Sequence, residues 1–370
     1  MIKFIPVSEP SITEKEINYV NDAITSGWVS SIGKYITEFE EKFAAFTGVK
    51  HALAVMNGTA AIELALASYG IGEGDEVIVP DFTFIATANA VKHSGAKPVL
   101  VDIERDTLCM DPIKIEKSIN SQTRAIIPVH IYGHPANMPE ISKTAKKFNL
   151  IIIEDAAEAH GAEIDGKRTG SLGDAATFSF YGNKIITTGE GGMITTNCSE
   201  IYERAKMLRD HAMSSEKRYW HMEAGYNFRI TNLQAALGVA QLERIDSLIE
   251  RRKQIFDQYK EYLGQIPGVR LNYTAGWARN VYWMVCMEVK SWDDAKRKIF
   301  MNELRDSGID TRPYFYPISD MGIYDKSDTP VTHIVYKTGI NLPTFFNISG
   351  DDIKYICEKI KELLERDKIG

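Results

Sequence analysis

The run Leu150-Ile-Ile-Ile-Glu-Asp155 ends an apolar stretch in two carboxylates, and about thirty residues later come Phe178-Ser-Phe-Tyr-Gly-Asn-Lys184 and Thr187-Thr-Gly-Glu-Gly-Gly192. A carboxylate at the end of a buried strand is costly to hide without a partner. A protonated ring nitrogen is such a partner, and the contact keeps the ring able to accept electrons. Lys184 stands among Gly, Asn, Thr and aromatic residues, with no adjacent acidic residue to mark a surface ion pair. A lysine desolvated in such a setting holds its proton weakly and becomes nucleophilic enough to attack an aldehyde. These needs are those of pyridoxal 5′-phosphate: Asp155 for the pyridinium nitrogen, the Ser179 hydroxyl for the phosphate, Lys184 for the Schiff base. Asp155 has a plainer alternative as the cap of a following helix.

Other segments add to this set. Asn57-Gly58-Thr59-Ala60-Ala61 sits where a strand passes into a helix, so free N–H groups and the positive helix end can receive a phosphate. A simple cap by Asn57 or Thr59 is the competing account. Glu158, one helical turn beyond Asp155, can face a ring hydroxyl of the cofactor, and Phe84 in Phe82-Thr-Phe84 can stack on a flat ring or pack in the core. Gly70-Ile-Gly-Glu-Gly74 has the composition of a dinucleotide fingerprint, but it follows a helix and precedes a strand, the reverse of the order that mechanism requires. It reads as a surface turn. His130 and His134 are four apart, yet the prolines and glycine around them exclude the helix that would make the spacing a metal site.

The elements that must position these residues follow from pattern. Short apolar runs at His51–Val55, Glu76–Val79, Pro98–Val101, Arg124–His130, Leu150–Glu154, Ala176–Phe180 and Gly192–Thr196 read as strands, several of them without polar alternation. Helical patterns at Thr59–Tyr69, Ile85–Ser94, Met138–Phe148 and Ser199–Arg209 alternate with them, which predicts an α/β domain with a mostly parallel central sheet. One long helix is expected from Asn232 to Leu263, bridging to a smaller α+β domain with a strand at Tyr282–Val289 and helices at Trp292–Asp306 and Ser349–Glu365. The division is placed at 1–248 and 249–370.

Composition narrows the function. Hydrophobic residues at 44% and charged residues at 25% are those of an ordinary globular protein. The longest apolar runs fall well short of the roughly 20 residues needed to span a bilayer, and the opening Met-Ile-Lys-Phe-Ile-Pro-Val-Ser is too quickly polar for a signal peptide, so a cytoplasmic location is expected. A net charge of −7 without a basic run argues against nucleic acid. Cys109, Cys198, Cys286 and Cys357 form no CxxC pair, so buried free thiols are expected rather than disulfides or a zinc site, and no metal is implied.

With these residues assembled, the chain resembles the DegT/StrS class of nucleotide-sugar aminotransferases, within the aspartate-aminotransferase (fold type I) superfamily. The likeness runs through Ser26-Gly-Trp-Val-Ser-Ser31, Asn57-Gly-Thr-Ala60, Gly74-Asp-Glu-Val-Ile-Val-Pro80, Glu154-Asp-Ala-Ala157, Ser179 to Lys184, Thr188-Gly-Glu-Gly-Gly192 and Gly225-Tyr-Asn-Phe-Arg229. A related dehydratase branch has His in place of the Schiff-base lysine, so Lys184 implies transamination. The resemblance implies that Gly58, Thr59, Ala60 and Ser179 hold the phosphate, with Asn227 reaching in from a second subunit of a homodimer. It also implies Asp155 at the ring nitrogen, Phe84 on the ring, and Trp28, Ser30, Ser31, Asn183, Arg229, Arg312, Tyr314 and Tyr316 facing the sugar nucleotide. L-Glutamate would donate the amine, with pyridoxamine 5′-phosphate as intermediate. Phe-Tyr-Gly-Asn-Lys184 and Thr311-Arg-Pro-Tyr-Phe-Tyr-Pro317 resemble members that aminate C4 of GDP-4-keto-6-deoxy-D-mannose, with dTDP- or UDP-linked 4-keto sugars as the alternative.

Overall fold

The computed structural model describes residues 3–367. Helices α1 (Glu14–Thr25) and α2 (Lys34–Thr47) open the chain, and neither was among the expected elements. The signal for α1 is present all the same: Thr13 and Glu16 form a reciprocal capping box. Then come β1 (His51–Val55), α3 (Gly58–Ser68), β2 (Glu76–Pro80), α4 (Ala86–His93), β3 (Lys97–Val101), α5 (Pro112–Ser118), β4 (Thr123–Ile126), α6 (Met138–Phe148) and β5 (Ile151–Asp155). A ribbon of β6 (Glu163–Ile164) and β7 (Lys167–Arg168) leads to β8 (Ala175–Ser179), β9 (Gly192–Thr196) and α7 (Ser199–Arg209).

Seven of these strands form one sheet in the order β1-β9-β8-β5-β4-β2-β3. Pairings from β8 through β5, β4, β2 and β3 are parallel, and β9 alone runs antiparallel to its neighbours β1 and β8. Helices cover both faces, which is why β2 is buried at every residue and why the strands read as unbroken apolar runs. The fourth strand is shorter than expected. Residues beyond Ile126 continue extended, but Pro128 has no N–H to give to a ladder, and only a bridge between Val129 and Asp155 follows.

The single long helix expected from Asn232 is two: α8 (Asn232–Leu242) and α9 (Ile245–Leu263). Tertiary ion pairs explain the break. Glu243 accepts from Lys15, Lys42 and Tyr19, while Arg244 donates to Glu16 and Ser11, so both break residues are drawn towards the N-terminal helices. The remaining elements are β10 (Val269–Leu271), β11 (Ala278–Arg279), β12 (Val285–Val289), α10 (Asp294–Asp306), β13 (Arg312–Pro313), α11 (Pro330–Val335), β14 (Gly339–Leu342) and α12 (Gly350–Asp367). Strands in the order β10-β12-β14-β13 make an antiparallel sheet. The β11 strand instead pairs with β6, forming a separate three-stranded sheet with the β6–β7 ribbon.

The expected boundary at 248/249 falls inside α9, whose Leu248 and Ile249 belong to the core of the large sheet and whose Ile255, Phe256 and Tyr259 belong to that of the small one. Ile5 also packs in the small core and bridges to Ile309, so the N-terminal segment is shared rather than confined to the large domain. Three cysteines are buried as free thiols, but Cys198 is exposed just before α7.

Candidate active site

Successive residues of a strand point to opposite faces, and the pair ending β5 does so with consequence. Glu154 accepts from His130 Nε2 at 2.8 Å and from the N–H groups of Gly170, Leu172 and Gly173 at 2.9, 2.7 and 2.8 Å. His130 Nδ1 in turn accepts from Ala136 N–H, so the ring carries its proton on Nε2. That network is closed and holds the backbone in place. Asp155, 5% exposed, has only two donors: Thr87 Oγ1 at 2.7 Å and Ala157 N–H at 3.1 Å.

Lys184 lies in the loop after β8, with Nζ 3.8 Å from Glu158 Oε1 and 4.2 Å from the centroid of the Trp283 ring. Burial lowers the pKa of the amine, and the charge of Arg312 works in the same direction against the pull of Glu158 and Asp155. Burial likewise pushes Glu158 up to about 7, opposed by the Lys184 charge and by the Tyr132 N–H that donates to Oε2 at 2.8 Å. Lysine down and glutamate up brings the proton affinities of the two groups towards each other. His160 is fully buried against Phe178 and Phe180, neither ring nitrogen has a partner, and burial lowers its pKa to about 3.

The start of α3 makes the anion-binding corner. Asn57 caps it, accepting from Ala60 N–H at 2.8 Å. Gly58 and Thr59 at the first turn have no intrahelical carbonyl to bond, as in any helix. A Cβ on Gly58 would stand 2.8 Å from Cβ of Ser179, so glycine lets the helix N-terminus approach the serine closely. These residues suit pyridoxal 5′-phosphate: an N-terminal cradle with a hydroxyl for the phosphate, a strand-end carboxylate with acceptor capacity left, and a desolvated amine. Asn183 Oδ1 and both His160 nitrogens add buried polar atoms that lack partners within the chain.

Other expected positions divide. Phe84 is 58% exposed with Phe315 at 6.0 Å between centroids, free to present a face to a ligand. Trp28, Ser30 and the half-buried Ser31 lie on a loop secured by Asn232, which donates to the carbonyls of Trp28 and Ser30 at 2.6 Å each. Asn227 is exposed and accepts from Arg229 at 2.6 Å, and Arg229 is ion-paired to Asp210. Arg312 is exposed, close enough for its charge to act on Lys184. Tyr316 touches Arg297 and Tyr336 rather than the lysine. Tyr314 corrects the expectation: it is 1% exposed, wedged among Phe82, Tyr132 and the backbone at Gly339, and it serves the core instead of facing a substrate. Thr87, Tyr132, His160 and Trp283 were not anticipated. His160 lay within reach in the Glu154 to His160 run, whereas Trp283 carries no local signal.

Fold and site together define a pyridoxal phosphate-dependent aminotransferase of fold type I. More particularly, the chain belongs to the DegT/DnrJ/EryC1/StrS aminotransferase family, matched over residues 10–361. It is 44% identical over 363 residues to GDP-perosamine synthase of Escherichia coli O157:H7, covering 98% of this chain and 99% of that protein. The enzyme of the same name from Caulobacter vibrioides is 43% identical, with 97% and 98% covered. Among solved structures, Helicobacter pylori PseC, an aminotransferase involved in the biosynthesis of pseudoaminic acid, superposes with a TM-score of 0.94 at 27% identity, covering 98% of this chain and 100% of that one. Among the described residues, no helix is long and apolar enough to cross a membrane and no metal-binding cluster occurs.

Proposed function

We propose that this protein transfers the amino group of L-glutamate to C4 of GDP-4-keto-6-deoxy-D-mannose, forming GDP-perosamine for a surface glycan such as O-antigen. The observation that carries the substrate is near full-length identity of 41% to 44% with three GDP-perosamine synthases, from Escherichia coli, Caulobacter vibrioides and Vibrio cholerae. The enzyme works in the cytoplasm as a homodimer, with Asn227 and Arg229 of each copy offered to the other's site. Exposed Trp28, Val29, Ile32, Met56 and Tyr181 support an apolar contact between copies.

Gly58, Thr59, Ala60 and Ser179 hold the cofactor phosphate, Asp155 holds the proton on the ring nitrogen, Glu158 faces the ring hydroxyl, and Phe84 covers the ring. Bound pyridoxal phosphate supplies an electrophilic aldehyde and an electron-withdrawing ring. Burial lowers the pKa of Lys184, whose Nζ lies 3.8 Å from Glu158 Oε1, and in its uncharged form the amine acts as a nucleophile. Its amine then serves as general base and acid. Nζ takes the proton from the α-carbon of the donor and, with the second substrate, delivers one to sugar C4. Trp28, Ser30, Ser31, Asn183, Arg229, Arg312 and Tyr316 orient the sugar nucleotide.

The test is a paired incubation of protein, pyridoxal phosphate and L-glutamate with GDP-4-keto-6-deoxy-D-mannose and with its dTDP-glucose counterpart, read by mass spectrometry of the amino sugar. Preference for the GDP substrate is expected. Preference for the thymidine compound would overturn the nucleotide assignment and leave aminotransfer standing.

A further inference from the structure

Trp283 lies 100 positions from Asn183, yet its indole Nε1 donates to the Asn183 carbonyl at 2.8 Å, one residue before the reactive lysine. The same ring presents its face to Lys184 Nζ at 4.2 Å. It is 5% exposed and firmly seated: buried Arg252 donates to the Trp283 carbonyl at 2.6 Å, and the preceding Tyr282, at φ +47°, stacks on Phe256 at 4.0 Å between centroids. Trp283 also lies near-parallel to Tyr132 at 6.3 Å between centroids, and Tyr132 N–H donates to Glu158. One indole therefore fixes the backbone beside the amine, the ring face beneath it, and, through Tyr132, the flank of its carboxylate neighbour.

We propose that Trp283 is a positioning residue for Lys184, its ring face retaining the free amine within the site and its N–H fixing the loop that carries it. The inference rests on the reading of Lys184 as the reacting amine. Such retention matters when the amine is unbonded, since a lysine has four rotatable bonds and would otherwise explore solvent. A cation–π contact favours the charged amine and so opposes burial and the repulsion of Arg312, while Glu158 and Asp155 act with it and neutral His160 lies alongside.

The test uses the cofactor-free full chain. Lys184 is titrated by its rate of acylation with acetic anhydride across pH, read by peptide mass spectrometry, and amide deuterium exchange is followed over residues 180–186. Trp283→Leu should lower the apparent pKa of Lys184 by roughly half a unit to one unit, and Trp283→Phe, which keeps a ring face, should restore it. Trp283→Phe should still speed exchange over the loop, since the Asn183 carbonyl loses its donor. An unchanged titration in a folded Leu variant, or unchanged exchange in the Phe variant, would overturn the proposal. If the Leu variant does not fold, the Phe variant decides through exchange alone. Borohydride reduction of the parent with pyridoxal phosphate keeps the two readings apart: label away from Lys184 defeats the proposed function, whatever Trp283 does.

Discussion

The C-terminal ends of β2 and β3 and the end of β5 lie on one rim of the same sheet, and each carries buried carboxylates with different fates. Asp81, fully buried, accepts from Ser319 N–H at 2.7 Å, from Ser319 Oγ at 2.8 Å and from Thr329 Oγ1. Asp102, 1% exposed, accepts from Val331 N–H, Thr332 N–H and Thr332 Oγ1, each at 2.9 Å. Together they tie the segment before and into α11 onto the large sheet. At the end of β5, Asp155 has two donors, Glu158 one N–H and an amine at 3.8 Å, and His160 none. Ligands in open α/β sheets favour this rim, but location alone does not make a site. Where internal donors fill the acceptors, the carboxylate anchors structure. Where they do not, capacity remains for a ligand.

Variants at the two places can break that contrast. Lys184→Ala should cut amino-sugar formation at least ~10³-fold, as expected for loss of the proton-transferring group. Its melting temperature should be unchanged or higher, because a buried amine has been removed. Asp155→Asn should lower turnover by about 10²- to 10³-fold with stability changed by less than about 1 kcal/mol in denaturant titration. Asp81→Ala should do the reverse: it strands three donors and lowers stability by about 3 kcal/mol, while turnover per folded molecule stays near parental. A stable but inactive Asp81→Ala protein would contradict the division.

Titration sharpens it further. The buried His160 has a folded pKa near 3, below its ordinary 6.5, so the folded state resists a proton that the unfolded chain accepts. Its contribution is complete above pH 6.5 and is lost as pH falls towards 3. Glu158, raised to about 7 from 4.5, behaves oppositely: its contribution is present below 4.5 and lost as pH rises to about 7. Denaturation measured between pH 4.5 and 6.5 should therefore change slope in opposite directions. His160→Phe removes the gain with rising pH, about 2 kcal/mol between pH 5 and 6.5, and Glu158→Gln removes the loss. The smallest effect is expected from Thr87→Val, which deletes one donor to Asp155 and should cost about 1 kcal/mol with a several-fold drop in turnover.

Much of this was legible along the chain because its causes are local. The strands of the large sheet declare themselves by unbroken apolar runs, and Asp155 and Ser179 stand at the ends of two of them, with Lys184 in the loop beyond β8. Gly58 and Asn57 mark a helix start through rules that act within one turn. Tyr314 was misread for the converse reason: a Thr-Arg-Pro-Tyr-Phe-Tyr run says nothing of which tyrosine turns inwards, and packing against Phe82 and Tyr132 settled that. The break at Glu243 was equally hidden, since ion pairs with residues more than two hundred positions away produced it.

The sequence alone thus determined the strands of the large sheet and the start of the helix that follows β1, because backbone preference and apolar periodicity act over a few residues. Only the tertiary structure decided which strand-end acids are saturated, how dry Lys184 is, and that an indole from the far end of the chain lies beneath it. Desolvation and hydrogen-bond saturation depend on what packs around a group in space, and no stretch of chain carries that information by itself.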